Sequence, residues 1–137
     1  MATVPKRKGT LLVSAIGDSS TITGLLLTGM GERNHKGVSN FMIVERDTTD
    51  EDIEKCLRGF IARNDIGIIL ISQGAAERVR NVIVEHEETI PTILEIPGDE
   101  SAYDPEKDTI VSRAAAMLWG LDTGKEKLKQ MTAAMNK

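Results

Sequence analysis

Four short apolar runs, residues 11–16, 41–44, 66–71 and 92–96, constrain this chain more than any other feature of its sequence. The first three are apolar at nearly every position rather than at alternate ones, while the fourth carries Thr92 and Glu95 among its apolar residues. A strand with that pattern is buried on both faces, and the sheets that bury both faces are parallel ones covered by helices. The segments between the runs repeat apolar residues at helical spacing. Ile22, Leu25 and Leu26 follow the first run, and Ile53, Cys56, Leu57, Phe60 and Ile61 the second. Ala75, Val79, Val82, Ile83 and His86 share one helical face after the third. Strand and helix thus alternate. The pattern predicts an α/β fold with a small receiver-like (flavodoxin-like) parallel sheet of about four strands. Its expected order is 2-1-3-4, with helices on both faces and a further helix at the C-terminal end.

Local signals refine the boundaries. Asp18 or Ser19 is placed to cap the first helix, and Gly29 and Gly31 to stop it. Thr49 followed by Asp52 resembles a capping box, with Asp50, Glu51 and Asp52 at the positive end of the helix dipole. Residues 31–40 (GERNHKGVSN) read as a loop. Asp104, Pro105 and Glu106 form a cap, a first-turn proline and an acid, which predicts that the last helix starts there. Its apolar positions are Ile110, Ala114, Met117, Leu118 and Leu121, with Trp119 beside them. Gly120 and Gly124 weaken the continuation, and Leu128, Met131 and Met135 suggest one more amphipathic segment. The expected organisation is an N-terminal arm over residues 1–10, an α/β domain over 11–103, and a C-terminal helix with a basic tail over 104–137.

Composition excludes several kinds of function. The net charge is −4, and aromatic residues are only 3% of the chain. Neither a polyanion-binding surface nor a set of stacking platforms for bases is expected, so no nucleic-acid partner is either. Basic residues gather at the ends, with Lys6, Arg7 and Lys8 in the arm and Lys125, Lys127, Lys129 and Lys137 in the tail. Charged ends of this kind read first as solvated, with an acidic partner surface for the tail as the alternative. No apolar run reaches the ~20 residues of a membrane span, and the N-terminal arm lacks the apolar segment of a secretory signal.

In an open α/β sheet, chemistry belongs beyond the carboxyl ends of the strands. Here those positions hold Gly17, Asp18, Glu45, Arg46, Ser72, Gln73, Pro97 and Gly98. The glycine-containing turn at residues 17–24 has no lysine to make it a phosphate loop. Ser72 stands where a phosphoryl-accepting receiver would carry its aspartate, and Pro97 and Gly98 where it would carry its lysine. His35, His86 and Cys56 have no metal-ligand spacing. Cys56 falls on the apolar stripe of its helix, which favours a buried, inert thiol. No catalytic residue, cofactor or metal is therefore expected. A receiver-like signalling adaptor without phosphorylation is the alternative reading of such a domain.

Several segments, in this order, carry a family resemblance. They are residues 16–31 (IGDSSTITGLLLTGMG), 40–59 (NFMIVERDTTDEDIEKCLRG), 65–73 (DIGIILISQ), 76–80 (AERVR), 90–97 (IPTILEIP) and 103–110 (YDPEKDTI). The set resembles the F subunits of the eukaryotic vacuolar-type (V-type) proton ATPases, over roughly residues 11–119. The resemblance implies a small receiver-like domain with a protruding C-terminal helix and no active site of its own. It implies a rotor part in the central stalk, bound to the coiled-coil D subunit. Through that stalk partner it would meet the A/B catalytic head and the membrane sector, on the cytoplasmic side of vacuolar and other endomembranes. A helix that grips a coiled coil uses anchors at i, i+3, i+4 and i+7. Ile110, Ala114, Met117, Leu118, Trp119 and Leu121 are the expected partner-binding residues.

Overall fold

The structure is a computed structural model that describes residues 11–30, 39–100 and 102–135. The N-terminal arm at residues 1–10, the loop at 31–38 with His35, the stop signal at Gly31 and the last lysine, Lys137, lie outside the described residues. The chain divides into two compact units after Ser101.

In the first unit, β1 (Leu12–Gly17), β2 (Phe41–Ile43), β3 (Ile66–Ser72) and β4 (Thr92–Ile96) form one parallel sheet in the order β2-β1-β3-β4. The expected α/β class and strand order are therefore found. Between the strands lie α1 (Ser19–Leu27), α2 (Asp50–Ala62), α3 (Gln73–Arg78) and α4 (Arg80–Glu85). Register partners in a parallel sheet share a face. Ile16 pairs with Ile71 and Ile69 with Ile93, so these four side chains point to one side. There they meet Ile53, Leu57 and Phe60 of α2, Ala75 and Ala76 of α3, and Val82 and Ile83 of α4 in a single, mainly aliphatic core. The opposite face carries Ala15, Leu70 and Leu94, which are also register partners. Among the described residues of this unit, α1 packs on that side through the buried Ile22. Ile68 and Leu94, toward the β4 edge, stay partly exposed.

The helix ends follow from side-chain chemistry. Asp18 caps α1 by accepting from the Thr21 N–H at 2.9 Å. At the other end Gly29 has φ +89°, the Gly29 N–H donates to Leu26 O and the Met30 N–H to Leu25 O. This is the closed glycine stop that satisfies the last carbonyls. The Thr49–Asp52 capping box forms in both directions, at 3.1 and 3.3 Å.

One helix expected from sequence is two. Residues 73–85 break at Val79, whose φ of −125° and ψ of 30° are not helical. Val79 is fully buried, so its place in the core holds a backbone that a continuous helix would not allow.

A buried ion pair spans the break and the sheet edge. Arg80 Nη1 donates to Glu95 Oε2 at 2.8 Å, and the Glu95 side chain is 1% exposed. At the opposite end of the strands Arg63 binds both oxygens of Asp65, at 2.9 and 2.8 Å, and Asn40 Oδ1 at 2.7 Å. The buried Asn40 thereby fixes the entry to β2 against the entry to β3.

The second unit holds a 3-10 turn (Pro105–Lys107), α5 (Thr109–Trp119) and α6 (Leu121–Met135). The last helix starts later than its sequence suggests. Asp104 caps only the 3-10 turn, through the Glu106 N–H at 3.0 Å. Asp108 caps α5, accepting from the Ile110 and Val111 N–H groups at 3.1 and 3.3 Å, and the Tyr103 hydroxyl donates to its other oxygen. Asp108 is 4% exposed, and that packed, doubly used carboxylate selects the second of two similar start signals.

Candidate functional site

The crevice at the carboxyl ends of the strands is about 520 Å³ and is lined by Asp18, Ser19, Glu45, Arg46, Ser72, Arg78 and Asp99, among others. It occupies the place where this class of sheet usually binds ligands. Two of its charged groups, Asp18 and Arg78, are committed to holding the fold. Burial pushes the Asp18 carboxyl up, but hydrogen bonds from the Thr21 N–H, the Ser20 and Thr21 hydroxyls and the Asp99 N–H outweigh it. They hold its pKa at about 2. Arg78 donates to Asp50 Oδ1 and to Thr48 O, both at 2.5 Å, so it ties α3 to the start of α2. Ser72 does stand at the end of β3, where a receiver would carry its acceptor, and no lysine lines the crevice among the described residues.

The other reactive side chains lie apart. Burial pushes the Cys56 thiol up to about 11, which keeps it protonated at neutral pH. His86 Nε2 sits 2.6 Å from Pro91 O, and the ring packs at the end of α4. Among the described residues no group of three or more His, Cys, Asp or Glu side chains is arranged to hold a metal ion. None of the described helices is long and apolar enough to cross a membrane.

The second candidate surface is the helical hairpin of the second unit. Gly120 ends α5 with φ +84° and ψ 164°, a conformation that belongs almost exclusively to glycine. The chain then folds back. A methyl group built on Gly124 would meet Ala115 C and O at 2.9 Å, so the two helices touch backbone to backbone there. Ala115 and Leu128 are buried between them.

The expected partner-binding residues divide in this arrangement. Ile110, Ala114, Met117 and Leu118 share one side of α5, the side away from α6. Met117 is 87% exposed and Leu118 72%, while Ile110 is partly covered. Trp119 is 44% exposed at the end of α5. Leu121 does not continue the stripe. The sequence spacing assumed an unbroken helix, but Gly120 resets the phase and makes Leu121 the first residue of α6.

Sequence reasoning missed the crevice between the two helices. It is about 310 Å³ and is lined by Glu106, Ser112, Ala116, Leu121, Lys125, Leu128 and Lys129. The signal was present as two glycines four residues apart, Gly120 for the break and Gly124 for the close approach, but it reads equally well as two weak points in one helix.

Comparison with known proteins gives one family. Residues 13–113 match the model of the ATP synthase (F/14-kDa) subunit family. The F subunit of the human V-type proton ATPase is 49% identical over 111 residues, covering 81% of this chain and 93% of the human protein. A probable V-type proton ATPase F subunit of Caenorhabditis elegans is 44% identical over 117 residues, 85% of this chain and 94% of its own. The Dictyostelium discoideum F subunit is 43% identical over 108 residues, 79% and 90% of the two chains. A four-stranded receiver-like sheet, Asp18 at the end of β1 engaged in capping, and identity at this level along most of both chains converge. This chain belongs to the F/14-kDa subunit family, among the F subunits of V-type proton ATPases.

Proposed function

We propose that this chain is a non-catalytic rotor part of the central stalk of a V-type proton ATPase. It binds the coiled-coil D subunit of the stalk, and turns with it when the A and B subunits hydrolyse ATP. It thereby helps couple that hydrolysis to proton movement through the membrane sector. As a peripheral component it lies on the cytoplasmic side of vacuolar and other endomembranes.

The observation that carries the partner contact is the uncovered stripe on α5. Met117 and Leu118 stand largely in solvent, and Trp119, the next residue of the chain, is about half exposed. Burying a Leu or Met side chain contributes about 1.5–3 kcal/mol, so a partner that covers this stripe gains several such increments. Ile110, Ala114, Met117, Leu118 and Trp119 make that contact, with Leu121 adding to it from the start of α6. The absence of an enzymatic role is supported by Asp18 and Arg78, whose polar atoms are engaged in capping and in tying helices together.

The test has two arms. Tagged full-length protein is recovered from native membranes and the co-purifying chains are identified by mass spectrometry. ATPase stalk and head subunits are expected, and recovery of signalling proteins instead would overturn the assignment. Binding to the purified D subunit is then measured by titration calorimetry. Met117→Ser with Leu118→Ser is expected to weaken it at least tenfold, and unchanged affinity would remove the stripe from the contact.

A further inference from the structure

We infer that the crevice between α5 and α6 is a second docking surface, and that its occupant is an amphipathic helix carrying acidic residues beside its apolar anchors. Apart from Leu121, which borders both, its lining residues differ from those proposed to meet the coiled-coil stalk partner. At about 100° per residue, Ser112 and Ala116 lie nearly opposite Ile110, Ala114, Met117 and Leu118 on α5. The inference can therefore be tested apart from the Met117 and Leu118 contact.

Shape points to a helix. Two helices alone leave a groove whose walls repeat at helical spacing, and a third helix fills such a groove with ridges of the same period. Here one wall presents Ser112 and Ala116, one turn apart and both small, and the other presents Leu121, Lys125, Leu128 and Lys129. The small wall allows close approach, while the exposed Leu121 and the stems of the two lysines supply an apolar floor and rim. The cavity of about 310 Å³ has room for more than one aliphatic anchor.

Charge gives the occupant its chemistry. Lys125 and Lys129 are exposed and four residues apart, so their ammonium groups line the same side of the groove. Among the described residues neither is in an ion pair, although Asp122 and Glu126 are on the same helix. Two carboxylates at i and i+4 on an incoming helix match that pair. Glu106 lines the groove as well, from the turn that precedes α5. A partner helix that is acidic throughout meets repulsion there. The matching sequence is acidic toward Lys125 and Lys129 and neutral or basic toward Glu106, which fixes its direction in the groove.

The experiment uses the full chain and fluorescein-labelled synthetic helices of about three heptads. One has leucine anchors flanked by glutamates at i and i+4, and its control has lysines in place of the glutamates. Anisotropy titrations should show binding of the glutamate helix alone. Lys125→Glu with Lys129→Glu should weaken that binding at least tenfold and admit the lysine helix. Ala116→Phe, which fills the groove, should also weaken binding of the glutamate helix. Met117→Ser with Leu118→Ser should leave the glutamate helix bound as before, separating this surface from the stripe. The charge-reversed residues are exposed, so circular dichroism of that variant should match the parent. Equal binding of the two helices, or no binding of either, would overturn the inference. So would binding to phosphatidylserine vesicles without binding to the glutamate helix, because the lysines would then serve a lipid surface.

Discussion

Gly124 lies against the backbone of Ala115, so closely that a methyl group on it would come within 2.9 Å of Ala115 C and O. Backbone atoms inside a helix cannot step aside as a flexible side chain can. The distance between α5 and α6 is therefore set by the absence of a side chain at position 124. Gly124→Leu should push the helices apart at a cost of about 1–3 kcal/mol, the usual range for overpacking. Amide exchange should quicken across α6 while the sheet keeps its protection. Unchanged exchange in α6 would mean that the two helices do not touch at this point.

Gly120 is the other half of the hairpin. Its φ of +84° with ψ of 164° costs a non-glycine residue about 1–3 kcal/mol. Gly120→Ala also adds helix propensity, so it both strains the break and favours a continuous helix through residues 109–135. Spin labels on Arg113→Cys and Lys129→Cys, in a Cys56→Ser background, should report a longer distance in the Gly120→Ala variant. An unchanged distance would show that α6 packing holds the hairpin without help from the glycine.

Asp104 and Asp108 show how far the sequence could be read. Each is an aspartate that precedes a possible helix start, and local chemistry favours Asp104 because Pro105 follows it. The structure uses Asp108 for α5, because its carboxylate also accepts from the Tyr103 hydroxyl and is buried. That choice depends on packing, which no local motif records. The split at Val79 was hidden for a similar reason, since apolar residues keep helical spacing across it. By contrast, the sheet order, the Thr49 capping box and the stop at Gly29 were legible, because each rests on periodicity or on a cap within a few residues. The α5 stripe was legible for the same reason up to Leu118, and lost at Leu121 where the helix breaks.

The two caps should separate in a direct measurement. Asp108→Ala should cost about 0.5–2 kcal/mol as a lost cap, and more if the Tyr103 hydroxyl finds no new partner. Asp104→Ala should cost less as a lost cap, since the backbone it caps belongs to a three-residue 3-10 turn. Exchange at residues 109–112 should quicken in the first variant and hardly change in the second. The reverse order would place the start of α5 at Pro105.

Asp18 gives α1 a pH dependence with a definite sign. Its folded pKa of about 2 lies below the ordinary carboxyl value of 3.8. A depressed carboxyl stabilises the fold fully above the unfolded pKa, and that contribution disappears as pH falls through the folded one. The window is therefore from about pH 4 down to about pH 2. A carbon-detected NMR titration should show the Asp18 carboxyl changing late in that range, with the Thr21 amide moving in step. Asp18→Ala should remove both the late titration and the loss of α1 protection that accompanies it. A midpoint near the ordinary value for Asp18 would mean that its hydrogen-bond donors do not reach the carboxylate in solution.

Arg80 and Glu95 pose a different question, because a buried ion pair need not stabilise the fold that contains it. Removing Glu95 alone leaves the Arg80 guanidinium in a site with little water, and loss of one partner of a buried pair costs about 3–5 kcal/mol. Arg80 keeps 27% of its side chain exposed, so Glu95→Ala should fall toward the lower end of that range. Replacing both partners with aliphatic residues removes the charges together with their desolvation cost. Arg80→Met with Glu95→Leu should therefore be close to neutral in urea melting, although each single change is costly. The pair would then serve alignment rather than stability, holding the start of α4 over β4 through a directed 2.8 Å contact. If the double variant is as unstable as Glu95→Ala, the charges themselves contribute net stability, and this edge of the sheet depends on them.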